Sequence, residues 1–141
     1  MSHVGLVTAT GPDYNHILVT QALSTVKTLT LNETLANAKF GYCLHNNAIS
    51  PTDRFIIANY ALSRVGQSYP YSNIFWQAMK QLTGNPKWTE YLDSDREEIC
   101  SELVAISYLK ANLDFNVSPR DCTPTNCLDY AIANKWLVQP L

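Results

Sequence analysis

Charge is scarce in this chain. Asp, Glu, Lys and Arg make up 16% of its 141 residues, and 10 basic side chains face 12 acidic ones. No Lys/Arg cluster occurs, so the electrostatic footprint of a nucleic-acid binder is missing and neither DNA nor RNA is an expected partner. No apolar run approaches the ~20 residues of a membrane span, and the N-terminus lacks the basic-then-apolar order of an export signal. No membrane span is therefore expected. The expected location is cytoplasmic, with export through a partner or a holin-type route as the other course. Cysteine is sparse as well: Cys43, Cys100, Cys122 and Cys127 are too scattered for a small secreted disulfide framework. What the chain does have is apolar residues, at 46%, which excludes intrinsic disorder. A chain of this length buries roughly 70% of its extended surface, so neither disulfide nor metal is needed for a core. No repeat, low-complexity tract or linker interrupts residues 1–141, which read as one domain.

The first third of the chain reads as strands, because short β-branched and apolar runs are separated by polar turn clusters. The runs His3–Thr8 and His16–Ala22, joined by the turn Gly11–Asn15, form an expected hairpin. Thr25–Leu31 alternates with period two, as a half-buried strand does. Asn32 is the expected N-cap of a short helix from Glu33 to Asn37, and Phe40–His45 is a fourth strand. After Asn46 the pattern becomes helical. Ser50-Pro51-Thr52-Asp53 starts a helix with Phe55, Ile56, Ala58, Tyr60, Leu62 and Val65 on its apolar face, ended by Gly66. Further helices are expected from Asn73 to Leu82, from about Asp95 to Asn112, and from Thr123 to Asn134. The fold class is α+β, with a small antiparallel sheet in the N-terminal half packed against helices from the C-terminal half.

Cys100 falls near the expected start of the third helix, where unpaired backbone N–H groups and the positive end of the helix dipole lower a thiol pKa. A thiolate there is a competent nucleophile, and the same N–H groups could bind a developing oxyanion. The alternative is a core filler, with Val104 and Tyr108 on the same helical stripe. A nucleophilic thiol needs a base whose ring is held by a third polar group. His3 opens the first expected strand and Gln21 lies near the end of the second, so a hairpin could make them neighbours on one face. The plainer alternative makes His3 a loose terminal residue and Gln21 an ordinary strand polar group.

The sequence His3-Val4-Gly5, then Val19-Thr20-Gln21-Ala22, then Cys100-Ser101-Glu102-Leu103-Val104 resembles the circularly permuted papain-like hydrolases. These are related to NlpC-type cell-wall peptidases and lecithin retinol acyltransferase. Almost the whole chain takes part: Gly66-Gln67-Ser68-Tyr69 looks like the group's Gly-x-x-Tyr turn, and Cys122-Thr123-Pro124 like its late Thr-Pro segment. The resemblance implies a permuted papain-like fold with Cys100 as nucleophile, His3 as general base and Gln21 as the orienting residue. It implies Tyr69 as an oxyanion or substrate-positioning group, with Tyr71 as the neighbouring alternative, and gives Glu102 a part in local structure. One departure is that members carry a Gly-Asp-Ile strand before the His strand, whereas this chain begins almost at the histidine. The expected activity is hydrolysis of an amide or ester in a peptide or small molecule through an acyl-enzyme, with peptidoglycan stem peptides the leading substrate class. That chemistry uses no cofactor and no metal.

Other readings of the same residues stand beside this one. Cys43-x-His45 and Cys122-x4-Cys127 supply four zinc-compatible side chains, although neither pair has the common two-residue spacing, and buried free thiols are the simpler expectation. A Cys122–Cys127 disulfide is the expectation for an exported chain. Among the aromatics Tyr69, Tyr71, Phe75, Trp76, Trp88 and Tyr91, the helical spacing of Phe75 with Met79 and Leu82 indicates core. Trp88 and Tyr91, in a polar Pro-bounded stretch, are the candidates for lining a substrate cleft. The competing function class is a catalytically silent binding or structural module of the same fold, such as a phage or assembly protein.

Overall fold

The β-branched runs of the first 30 residues form an antiparallel sheet of three consecutive strands, β1 (Leu6–Ala9), β2 (Leu18–Ala22) and β3 (Val26–Thr30), with β2 in the centre. The computed structural model describes residues 3–36, 38, 41–67 and 100–141. Pairing runs Leu6 to Thr20 and Val7 to Val19, then shifts so that Ala9 faces Leu18. Thr8 is the additional residue of this bulge, and its hydroxyl lies 3.0 Å from that of Thr20, which in turn lies 2.9 Å from that of Thr28. This row of hydroxyls satisfies Thr20, which is fully buried in the middle strand.

Each strand is shorter than its sequence pattern suggests, for identifiable reasons. The first begins at Leu6 rather than His3, because residues 3–5 approach β2 too closely for a regular ladder: a Cβ on Gly5 would lie 2.8 Å from Val19 Cγ1. The second begins at Leu18 because His16 is held in the preceding turn, its backbone N–H bonded to the Asp13 carbonyl and its Nδ1 to Asp13 Oδ1 at 2.8 Å. The third stops at Thr30, which is still paired with Leu18 and also caps a helix.

That helix, α1 (Leu31–Leu35), corrects the expected N-cap. Thr30 rather than Asn32 is the cap: its hydroxyl accepts from the Glu33 N–H at 3.1 Å, while the Glu33 carboxylate accepts from the Thr30 N–H and hydroxyl, each at 2.8 Å. The reciprocal capping box outcompetes Asn32 because it satisfies donors in both directions. It also holds the Glu33 carboxyl below its ordinary value, chiefly through the Thr30 N–H.

Helix α2 (Pro51–Ser63) starts as expected, with Ser50 as N-cap and Pro51 in the first turn. Its buried face does not follow the expected apolar list. Ile57 and Ala61 are buried, whereas Phe55 is 68% exposed and Ile56, Leu62 and Val65 are also exposed. Apolar residues surround so much of this helix that its pattern selects no stripe; contact with β1 and β2 does. Past its end, Gly66 at φ +86° turns the chain so that the Gly66 N–H and the Gln67 carbonyl both bond to Val26, at 3.0 Å each. The expected helix Asn73–Leu82 lies outside the described residues. So does the expected start of the next helix near Asp95; among the described residues this helix, α3, covers residues 100–110.

The last expected helix is present as α4 (Pro124–Ala133), with Thr123 and Asn126 in a capping box and Asn134 as C-cap. A four-residue strand, β5 (Leu137–Pro140), follows it and has no counterpart in the sequence reading. It pairs antiparallel with β4 (Tyr42–His45), so the fourth strand joins the chain's end instead of extending the N-terminal sheet. Phe40, its expected first residue, lies outside the described residues. Among the described residues the architecture is α+β with two small antiparallel sheets, one of them built across both halves of the chain.

The main core joins Leu6, Ile57, Ala61, Val104, Ala105, Phe115 and Cys127, with Tyr108, Tyr130 and Trp136 packed around it. Phe115 lies with its ring centroid 5.0 Å from Tyr108 and 4.8 Å, edge on, from Tyr130. Burial pushes the Tyr108 hydroxyl up to about 12. No helix among the described residues is long and apolar enough to cross a membrane.

Candidate functional site

A second, smaller cluster sits at one end of the three-stranded sheet, where β2 ends and β3 begins. It comprises Ala22, Val26, Cys100 and Leu103, with Val4 and Tyr60 packed against it. Beside it, His3 Nε2 and Gln21 Oε1 form a 2.5 Å hydrogen bond. Gln21 is only 3% exposed, so its amide is withdrawn from bulk water and needs protein partners.

Local sequence explains how the pair meets. Gln21 belongs to the central strand, fixed on both sides by Leu6–Thr20 and Gln21–Lys27 registers. Gly5 has no side chain, which lets residues 3–5 lie against Val19 and Gln21 and brings the imidazole within reach. The far side of the amide is held too: Gln21 Nε2 donates to Thr34 Oγ1 at 3.3 Å, and the Thr34 hydroxyl donates to the Thr30 carbonyl at 2.9 Å. The sequence reading missed Thr34. No local pattern marks it, since its contact with Gln21 exists only after β3 and α1 fold back beside β2.

Cys100 is fully buried in the cluster that contains Ala22 and against which Val4 packs, and these two are the chain neighbours of Gln21 and His3 respectively. The thiol and the His3–Gln21 pair therefore share one end of the sheet. Ser101, next on α3 and also buried, donates its hydroxyl to the Cys122 carbonyl, tying α3 to the segment before α4. Glu102 is half-buried on the same helix. The remaining expected site residues, Tyr69, Tyr71, Trp88 and Tyr91, lie outside the described residues, as do Phe75 and Trp76.

The other cysteines are free thiols. Cys122 and Cys127 are buried with their sulfurs 3.7 Å apart, well beyond the ~2.05 Å of a disulfide, so the pairing considered for them is absent. The hydrogen bond from Cys127 lowers the Cys122 pKa, and the same bond, followed by burial, pushes Cys127 up. Cys43 is half-buried on β4 and raised by burial. Among the described residues no group of three or more His, Cys, Asp or Glu side chains is arranged to hold a metal, so the zinc arrangement of Cys43, His45, Cys122 and Cys127 does not form.

No protein family, curated protein or solved structure matches the chain. The resemblance to permuted papain-like hydrolases therefore rests on the chain's own motifs.

Proposed function

We propose that this protein is a cysteine hydrolase of permuted papain-like type, cleaving an amide or ester bond in a peptide or small molecule, with peptidoglycan peptides as the leading class. The observation that carries the reading is the short His3–Gln21 hydrogen bond, made at a buried amide beside the cluster that contains Cys100. A histidine held this way is an oriented base, which nucleophilic thiol chemistry requires.

In the proposed reaction the Cys100 thiol passes its proton to His3, and its sulfur attacks the substrate carbonyl. The imidazolium returns that proton to the departing amine or alcohol, leaving a thioester. Water, deprotonated by His3, then attacks the thioester, and the thiol regains its proton as the acid leaves. Gln21 orients the ring throughout. Tyr69 and Tyr71 enter this reading through the resemblance alone, as oxyanion or substrate-positioning groups, and Trp88 enters it as a cleft-lining candidate from its polar, Pro-bounded stretch.

The test is alkylation by iodoacetamide across pH, followed by peptide mapping, together with hydrolysis assays on peptide amides and acyl esters. A nucleophilic Cys100 labels with a midpoint well below the ~8.5 of an ordinary thiol, and Cys100→Ala and His3→Ala each abolish hydrolysis. Ordinary or absent labelling with no turnover overturns the proposal.

A second reading is favoured by a specific observation. Cys100 has no exposed surface, and it shares its cluster with Ala22, whose side chain turns to the opposite face of β2 from that of Gln21. A buried thiol so packed suits a silent binding or structural module. On that reading Cys100 stays unlabelled in the native protein, and Cys100→Ala and His3→Ala leave the biological effect intact.

A further inference from the structure

We infer that Thr34 is a positioning residue: through Gln21 it dictates which nitrogen of His3 carries the proton, leaving Nδ1 as the basic one. One group at the far end of the series has a role that cannot change. The Thr30 carbonyl can only accept, and it takes the single hydrogen of the Thr34 hydroxyl at 2.9 Å. The Thr34 oxygen then has only lone pairs to offer Gln21, so the amide must present its NH2 group there, at 3.3 Å. The other end of that amide is consequently the oxygen, which can only accept. His3 Nε2, 2.5 Å away, must therefore be protonated, and in the neutral ring Nδ1 is left with the free lone pair. Burial makes the chain of assignments binding, because an amide that is 3% exposed cannot turn over and satisfy itself with water.

The capping box explains why a five-residue helix suffices for this. Thr30 and Glu33 hold the first turn of α1 by reciprocal bonds, and that turn carries Thr34 over Gln21. Thr34 touches neither the imidazole nor any substrate; it acts through the amide. The catalytic meaning of this arrangement rests on the proposed role of His3 as general base, whereas the tautomer itself does not.

The test is the nitrogen-15 NMR spectrum of His3 in the full chain, recorded above the pH at which its ring is charged. The wild-type protein shows the Nε2–H tautomer. Thr34→Val, which keeps the shape and removes the hydroxyl, frees the amide to turn and lowers the ratio of Nε2–H to Nδ1–H about fivefold, the worth of one net hydrogen bond. Thr34→Ser restores the wild-type ratio. A wild-type His3 protonated at Nδ1, or a folded Thr34→Val with an unchanged ratio, overturns the inference; the wild-type spectrum decides even where Thr34→Val fails to fold. Because this readout needs no turnover, an inert Cys100 with a Thr34-dependent tautomer refutes the hydrolase reading and leaves the positioning role standing.

Discussion

Two regions of this molecule are held by different physics. Around Phe115, four aromatic rings from α3, the following loop, α4 and the residue before β5 meet at centroid distances of 4.8 to 6.2 Å. At the end of the N-terminal sheet, His3, Gln21, Thr34 and Thr30 are joined by single directional bonds in series. The aromatic cluster gains from area, which is non-directional and shared among many contacts. The polar series gains little net free energy per bond, yet each bond specifies an orientation that the next depends on. Losing a ring should therefore cost stability broadly, whereas losing a hydroxyl should change a chemical state locally.

Phe115→Ala sharpens this contrast most. Removing the central ring is expected to cost about 3–5 kcal/mol, measured by urea unfolding, a large part of the roughly 5–15 kcal/mol that a domain possesses. At temperatures where the variant stays folded, the His3 tautomer should be unchanged; a shifted tautomer would mean that the two regions are coupled.

Gly5→Ala attacks the other end with one methyl group. Its Cβ would sit 2.8 Å from Val19 Cγ1 and 3.2 Å from Gln21 Cβ, so residues 3–5 must move off β2. About 1–3 kcal/mol of stability should be lost, as for overpacking elsewhere, together with the NMR signature of the His3–Gln21 bond. Retention of that bond would show that close backbone approach is not what brings the imidazole in.

Thr20→Val keeps shape while removing the middle hydroxyl of the row across β1, β2 and β3. Thr8 and Thr28 then lose a partner, at a cost of about 1–2 kcal/mol by chemical unfolding. A neutral result would assign the row to packing alone.

The smallest effect is a pH dependence. The Glu33 carboxyl is held below its ordinary value by the Thr30 N–H, so the capping box contributes fully above the unfolded-state value of about 4.3. That contribution disappears as pH falls through the folded-state value. Amide exchange of α1 should quicken over that acid range in the wild type, and Glu33→Gln should flatten the dependence.

Legibility differed between elements for the same physical reason. Local features were readable: β-branched and apolar runs between turn clusters marked β1 to β3 within a few residues, and the Ser50-Pro51 start and the expected span from Thr123 placed α2 and α4. The α1 cap was misassigned although a sufficient signal, Thr30-x-x-Glu33, lay in the sequence. Strand β5 went unread because Leu137–Pro140 is a strand only by virtue of β4, more than 90 residues earlier. The face of α2 was misjudged because its apolar residues outnumber the positions that the sheet can cover. In the candidate site, the nearness of His3 and Gln21 could be anticipated from the hairpin, whereas Thr34 could not.

By itself the amino-acid sequence determined the residue types that can perform thiol chemistry, the approximate places of β1 to β3, the starts of α2 and α4, and the α+β class, since all of these depend on neighbours a few positions apart. Tertiary structure alone decided that β4 pairs with β5, that Cys100 joins a cluster with the neighbours of His3 and Gln21, and that Thr34 backs the Gln21 amide. Those contacts join residues far apart in the chain, and burial, which makes each polar partner obligatory, exists only once the chain has folded.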